Sequence, residues 1–207
     1  MRFTGLALAA AIGLATVLPA VAAEDAAEKL TLREISAYLN GLGTARSDFT
    51  QINDDGTIST GRFYLKRPGK VRFEYDPPEE ILVVANGATV GVVDGKSNAG
   101  TQAYPLNQTP LKIILARKVD LTRERMVTAH ASDGTSTRIT AQDPENPDYG
   151  NIELVFTGDP VELRQWVIND GGGSRTTVIL GALEEVDRLD AELFEIPGLP
   201  DAAPADR

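Results

Sequence analysis

The sequence predicts a mainly β protein: a single curved antiparallel sheet forming an incomplete, half-open β-barrel closed by a helical lid. Three observations carry this. From Ser47 onward apolar residues recur with a period of two. About ten or eleven such runs follow one another, parted by clusters of Gly, Pro, Asn and Asp. Only two or three stretches have helical spacing, and all are short. A closed barrel has no edges, whereas an open one needs something across its gap, and a short helix is available for that.

The chain starts with a different kind of segment. Arg2 is followed by an apolar run from Gly5 to Leu18 and then by Ala20-Val21-Ala22-Ala23. This reads as a secretory signal peptide over residues 1–22, cut after Ala22 or Ala23. The run is shorter than the roughly 20 residues that span a bilayer. A single exported, soluble domain is expected over residues 23–207, ending in a flexible tail at 198–207. The chain has no Cys, so neither a disulfide nor a lipidated thiol is available. With 20 basic and 30 acidic residues its net charge is −10. Such a surface disfavours nucleic acid and adsorption to anionic lipid. A monomer is expected, because no partner interface is evident.

The elements follow in order. Leu32, Ile35, Leu39 and Leu42 make a helical stripe between Leu30 and Leu42, with Thr31 and Glu34 spaced as a capping box. Strands are expected at SDFTQIN, ISTGRFYLKR, VRFEY, EILVVAN, ATVGVVD and TQAYPL. The turns between them fall at Asn53–Gly56, Arg67–Lys70, Asp76–Pro78, Asn86-Gly87 and Asp94-Gly95. Pro110 opens a second helix in which Leu111, Ile114 and Leu115 share a face. Two strands are expected around Asp133-Gly134. NIELVFT, VELRQWVIN and SRTTVILGAL follow as strands, and Glu192–Ile196 reads as a last short one.

Recognisable catalytic chemistry is missing. His130 is the single histidine and has no companion metal ligands in sequence. No Ser sits in a nucleophile elbow, and there is no phosphate loop or dinucleotide fingerprint. Glu79-Glu80 and Glu184-Glu185 are adjacent on strands and point to opposite faces, which makes them poor acid–base pairs. Gly171–Gly173 precedes a β-branched run, so it reads as a hairpin turn. No enzyme activity, cofactor or metal site is expected.

The informative stretch is Gly61–Tyr75, GRFYLKRPGKVRFEY. Alternation puts Phe63, Leu65 and Arg67 on one face of a strand. Val71, Phe73 and Tyr75 form the matching row across the turn. Phe49 belongs to a neighbouring strand, and Ile81 and Val83 extend the odd-numbered set. Two readings stand side by side. In one, the rows form an ordinary core packed with the protein's own side chains, and Arg67 lies at the rim with its head in water. In the other, the rows line a concavity for a foreign apolar body. Arg67 at its mouth then holds a polar headgroup or the carbonyls of a covering helix.

The stretch LKRPGKVRFEYDPPEEILVVANGATV resembles the signature region of the periplasmic outer-membrane lipoprotein carriers of the LolA family. Phe49-Thr50-Gln51 and Asn107-Gln108-Thr109-Pro110-Leu111 resemble it too, in the same order. The resemblance implies an incomplete barrel with a helical lid, located in the periplasm. It implies a carrier that takes triacylated lipoproteins from an inner-membrane ABC transporter to the outer membrane. Delivery would go through an acceptor lipoprotein or directly into the membrane. It makes Phe49, Phe63, Phe73 and Tyr75 cavity-lining residues and Arg67 the lid latch. This chain departs from the family in having Val90-Gly91-Val92-Val93 after the Asn-Gly hairpin, where aromatics are common. An envelope sensor, or a carrier of another lipid such as a glycolipid, is the alternative use of the same half-barrel.

Overall fold

A computed structural model describes residues 29–123 and 125–199. The signal-peptide reading and residues 200–207 of the expected tail lie outside the described residues. Helix α1 runs Leu32–Gly41. Thr31 caps it: its Oγ1 accepts from the Glu34 N–H, and the Glu34 carboxylate accepts from the Thr31 N–H at 2.7 Å. Six strands follow as a meander: β1 (Thr44–Ile52), β2 (Ile58–Lys66), β3 (Lys70–Tyr75), β4 (Ile81–Asn86), β5 (Thr89–Asp94) and β6 (Gln102–Pro105). After a one-turn helix α2 (Lys112–Leu115) comes a second meander: β7 (Val127–Ser132), β8 (Ser136–Gln142), β9 (Gly150–Thr157), β10 (Glu162–Asp170) and β11 (Arg175–Leu180). The two-residue β12 (Glu184–Glu185) pairs beside the start of β1.

The two meanders meet where the end of β1 pairs with β11, in register Phe49 with Leu180. The sheet order is therefore β6-β5-β4-β3-β2-β1-β11-β10-β9-β8-β7, all antiparallel, and among the described residues β6 and β7 do not pair. The barrel is left open between these two edges. The connection from β6 to β7 joins these two edges, and its residues Leu106, Leu111, Ile113, Ile114, Leu115, Val119 and Leu121 pack into the core, which makes its described part a cover.

Alternation decides most of the wall. In β2 and β3, Phe63 faces Phe73 and Leu65 faces Val71 in register, all buried on the concave side. Arg72 and Glu74 pair on the convex side. Gly61 is required where it stands. A Cβ there would lie 2.0 Å from the Glu74 carbonyl oxygen and 2.8 Å from the Phe49 ring, so its absence lets Phe49 lie across β2.

The C-terminal segment differs from its expectation. Ala191–Phe194 is a 3-10 turn, not a strand. It straps the convex face, where Phe194 and Ile196 pack on Val84. Lys66 and Arg72 donate to the carbonyls of Leu189 and Leu193 at 3.0 and 2.9 Å, taking groups that a strand ladder would otherwise use. Ile196 sits over Gly91, where a Cβ would come within 2.2 Å of its side chain. This accounts for the Gly in place of bulkier residues after the Asn-Gly hairpin. Leu199 also packs against this patch.

Candidate functional site

The concave face carries a continuous aromatic seam. Phe49 meets Phe73 edge-on at 5.2 Å and Tyr75 at 5.1 Å. Phe63 meets Phe73 at 5.1 Å and Trp166 at 5.4 Å. Trp166 comes from β10 in the other meander, so the seam ties the half-sheets together. Alternation alone does not place it there, because Leu163 and Trp166 differ in parity. A register shift between Leu163 and Gln165 brings both to the inner face. That bulge, at the polar pair Arg164-Gln165, left no signal in the sequence.

The sequence-derived residues fall into three groups. Phe63, Leu65, Val71 and Arg67 line a small apolar cavity together with Leu111, Ile114 and Leu115 of the cover. Phe49 and Phe73 are buried behind it in the same core. Tyr75 is half-buried; its hydroxyl donates to the Gln51 side chain at 2.6 Å, and burial, opposed by that bond, pushes its pKa up to about 12. Val83 touches the edge of the core. Ile81 is only half-buried and belongs to neither apolar cluster, since β4 begins there beside the surface turn at Gly95. Leu39 and Leu42 of the predicted helical stripe join this core; Ile113, Leu163, Trp166, Leu180 and the half-buried Leu183 belong to it too and were not singled out beforehand.

The expected hollow is filled in this closed form. The cavity measures about 20 Å³, room for about one water. The plug is not supplied by the sheet alone. Leu39 descends from α1, Leu42 from its C-terminal cap, and Leu111, Ile113, Ile114 and Leu115 from the cover, all buried. The second helix is shorter than expected, a single turn. Four of the five residues from Leu111 to Leu115 are buried, which leaves Lys112 as its one outward side chain.

A few discrete ties hold this cover. The Gly69 N–H donates to the Leu115 carbonyl at 2.9 Å, and the Arg67 guanidinium donates to the Ala116 carbonyl at 2.6 Å. Asn40 and the backbone of Val119 exchange two bonds of 2.8 Å. The Leu121 N–H donates to Ser36 Oγ at 3.0 Å. On the opposite meander Lys112 pairs with Asp143 at 2.5 Å. Burial would raise the Asp143 pKa, but bonds from Lys112, Asn146 and the Glu145 N–H, with the Lys112 charge, outweigh it and hold it at about 2.

Arg67 is the anomalous group among these. It reaches the end of the Phe63–Leu65 row, as alternation predicts, and its head lies under the cover. Its Nε is buried without a partner, and among the described residues no carboxylate forms an ion pair with it. Burial pulls the guanidinium pKa down. A cation with several donors and one carbonyl is held loosely enough to exchange that carbonyl for another. His130, by contrast, is structural: its Nε2–H donates to the Leu30 carbonyl at 2.8 Å. Among the described residues no group of three His, Asp or Glu is placed to hold a metal, and no helix is long and apolar enough to cross a membrane.

A core plugged by a loosely tied cover is not decisive by itself, but family comparison is. The model of the outer membrane lipoprotein carrier protein LolA matches residues 40–197. The chain belongs to that family. Members are periplasmic carriers and not enzymes, and this chain is one of them. An outer-membrane lipoprotein carrier protein of Azotobacter vinelandii is 27% identical over 94% of both chains. One from Chromohalobacter salexigens is 29% identical over 95% of both. Among solved structures, a LolA superfamily protein from Nitrosomonas europaea aligns with a TM-score of 0.43 at 10% identity, over 82% of this chain and 100% of that chain.

Proposed function

We propose that this LolA-family protein binds the acyl chains of lipoproteins under the cover and ferries them across the periplasm from an ATP-driven release complex to the outer membrane. The observation that carries this reading is that four of the buried side chains plugging the concave face belong to a segment tied on by a handful of bonds. Exposing lipid in water costs about 0.8 kcal/mol per CH₂, so three acyl chains need shielding worth tens of kcal/mol. Pulling four buried aliphatic side chains out of the core costs on the order of 10 kcal/mol. The entering chains restore that burial, so the net affinity stays modest and release remains possible. Arg67 sets the balance by favouring the closed, empty form.

Three experiments test this. The chain has no native Cys, so Asn40→Cys with Val119→Cys introduces the only thiols, at positions whose groups already meet. Oxidation is expected to block uptake of a fluorescent lipopeptide and reduction to restore it; uptake by the oxidised form would refute the moving cover. Arg67→Leu is expected to keep the fold and slow cargo release by on the order of tenfold, by removing one charge-assisted bond from the empty state. Normal lipoprotein transfer by that variant would refute the latch. Mass spectrometry of ligand extracted from the native protein separates lipoprotein from glycolipid cargo.

A further inference from the structure

Outside the cover lies an open groove of about 1000 Å³ whose lining includes Asn107, Ala116 and the basic residues Arg117, Lys118 and Arg123. We propose that this groove docks on an anionic bilayer surface. The inference rests on the carrier reading only for its purpose, which is to set the mouth of the cavity against a headgroup plane.

The charge distribution points there. The chain as a whole carries −10, yet residues 112–125 hold five basic side chains and two acidic ones. Arg117, Lys118 and Arg123 are exposed and, among the described residues, form no ion pair. The acids in the groove are partly spent. Asp143 is taken by Lys112; Asp120 accepts from the Thr122 N–H and hydroxyl and also feels the charges of Lys118 and Arg123, so part of the rim charge is offset within the groove; Glu145 remains at the far side. Cations on long stems without fixed partners suit a mobile array of phosphates better than one small anion held by fixed donors. The acid-rich remainder of the surface is repelled by the same bilayer, so only one orientation is favoured.

Sedimentation with vesicles tests it. The purified protein is expected to bind phosphatidylcholine vesicles doped with phosphatidylglycerol, to ignore pure phosphatidylcholine, and to release at high salt. Arg117→Gln, Lys118→Gln and Arg123→Gln are each expected to weaken binding about fivefold, and together about a hundredfold. Equal binding to neutral vesicles, no binding, or an unaffected triple variant would overturn the proposal. So would crosslinking from Lys118 in cells that captures an acidic protein while vesicles are ignored. Lipopeptide uptake by the same preparations keeps the two readings apart. Intact uptake without vesicle binding removes only the docking surface, whereas absent uptake removes the carrier reading.

Discussion

The wall and the cover of this half-barrel bury the same kinds of side chain but are anchored in different ways. In the wall, β1 is paired with β2 along its whole length from Thr44 to Ile52, and β9 with β10 from Gly150 to Thr157. Each strand satisfies the backbone of its neighbour, and the seam from Phe49 to Trp166 packs across the join. The cover has one helical turn, and most of its tertiary ties run to side chains: Arg67, Asn40, Ser36 and Asp143. Apolar burial alone therefore does not tell a permanent core from a removable one. Backbone continuity does, because a segment held by discrete bonds can open without unzipping a ladder.

Three substitutions probe that contrast, beginning with the largest expected effect. Trp166→Ala empties the seam where the half-sheets meet and is expected to cost about 3–5 kcal/mol in denaturant unfolding. A loss below about 1 kcal/mol would show that the wall is not one unit. Asn40→Ala removes both bonds to Val119 and is expected to loosen the cover by roughly 1–3 kcal/mol. Amide exchange at Val119 and Leu121 should accelerate while β1 and β10 stay protected; equal acceleration in the strands would merge the two regions.

The smallest effect is expected from Asp143→Asn, about 1 kcal/mol at neutral pH. The Asp143 carboxyl is held at about 2, below the ordinary value near 3.9. Its contribution is complete above about pH 4 and is lost as the pH falls through about 2. Cover exchange in the wild type should rise across that window, and the variant should lack the rise. A wild-type cover indifferent to pH there would remove Asp143 from the set of ties.

Legibility from sequence followed the same division. The Phe63, Leu65, Val71 and Phe73 rows were readable because they alternate cleanly with Arg62, Tyr64, Arg72 and Glu74. The Arg67 position followed from the same parity. Trp166 was not readable: the bulge between Leu163 and Gln165 reverses its parity relative to Leu163. Ile81 lies off both apolar clusters, since parity gives the face but not how far a strand extends over the core. The 3-10 strap at Ala191–Phe194 was read as a strand because only its contacts with Lys66 and Arg72 set its path.

The sequence by itself determined the strands, the turns between them, the capped first helix and the shared face of Phe63, Leu65 and Arg67. These depend on local period and local backbone preference. Only the tertiary structure decided that α1 and the 106–126 connection fill the concave face, that Trp166 completes the seam, and that a cationic rim gathers above the cover of an acidic protein. Each of these depends on how the sheet curls and which distant segments it brings together, and alternation carries no information about curvature.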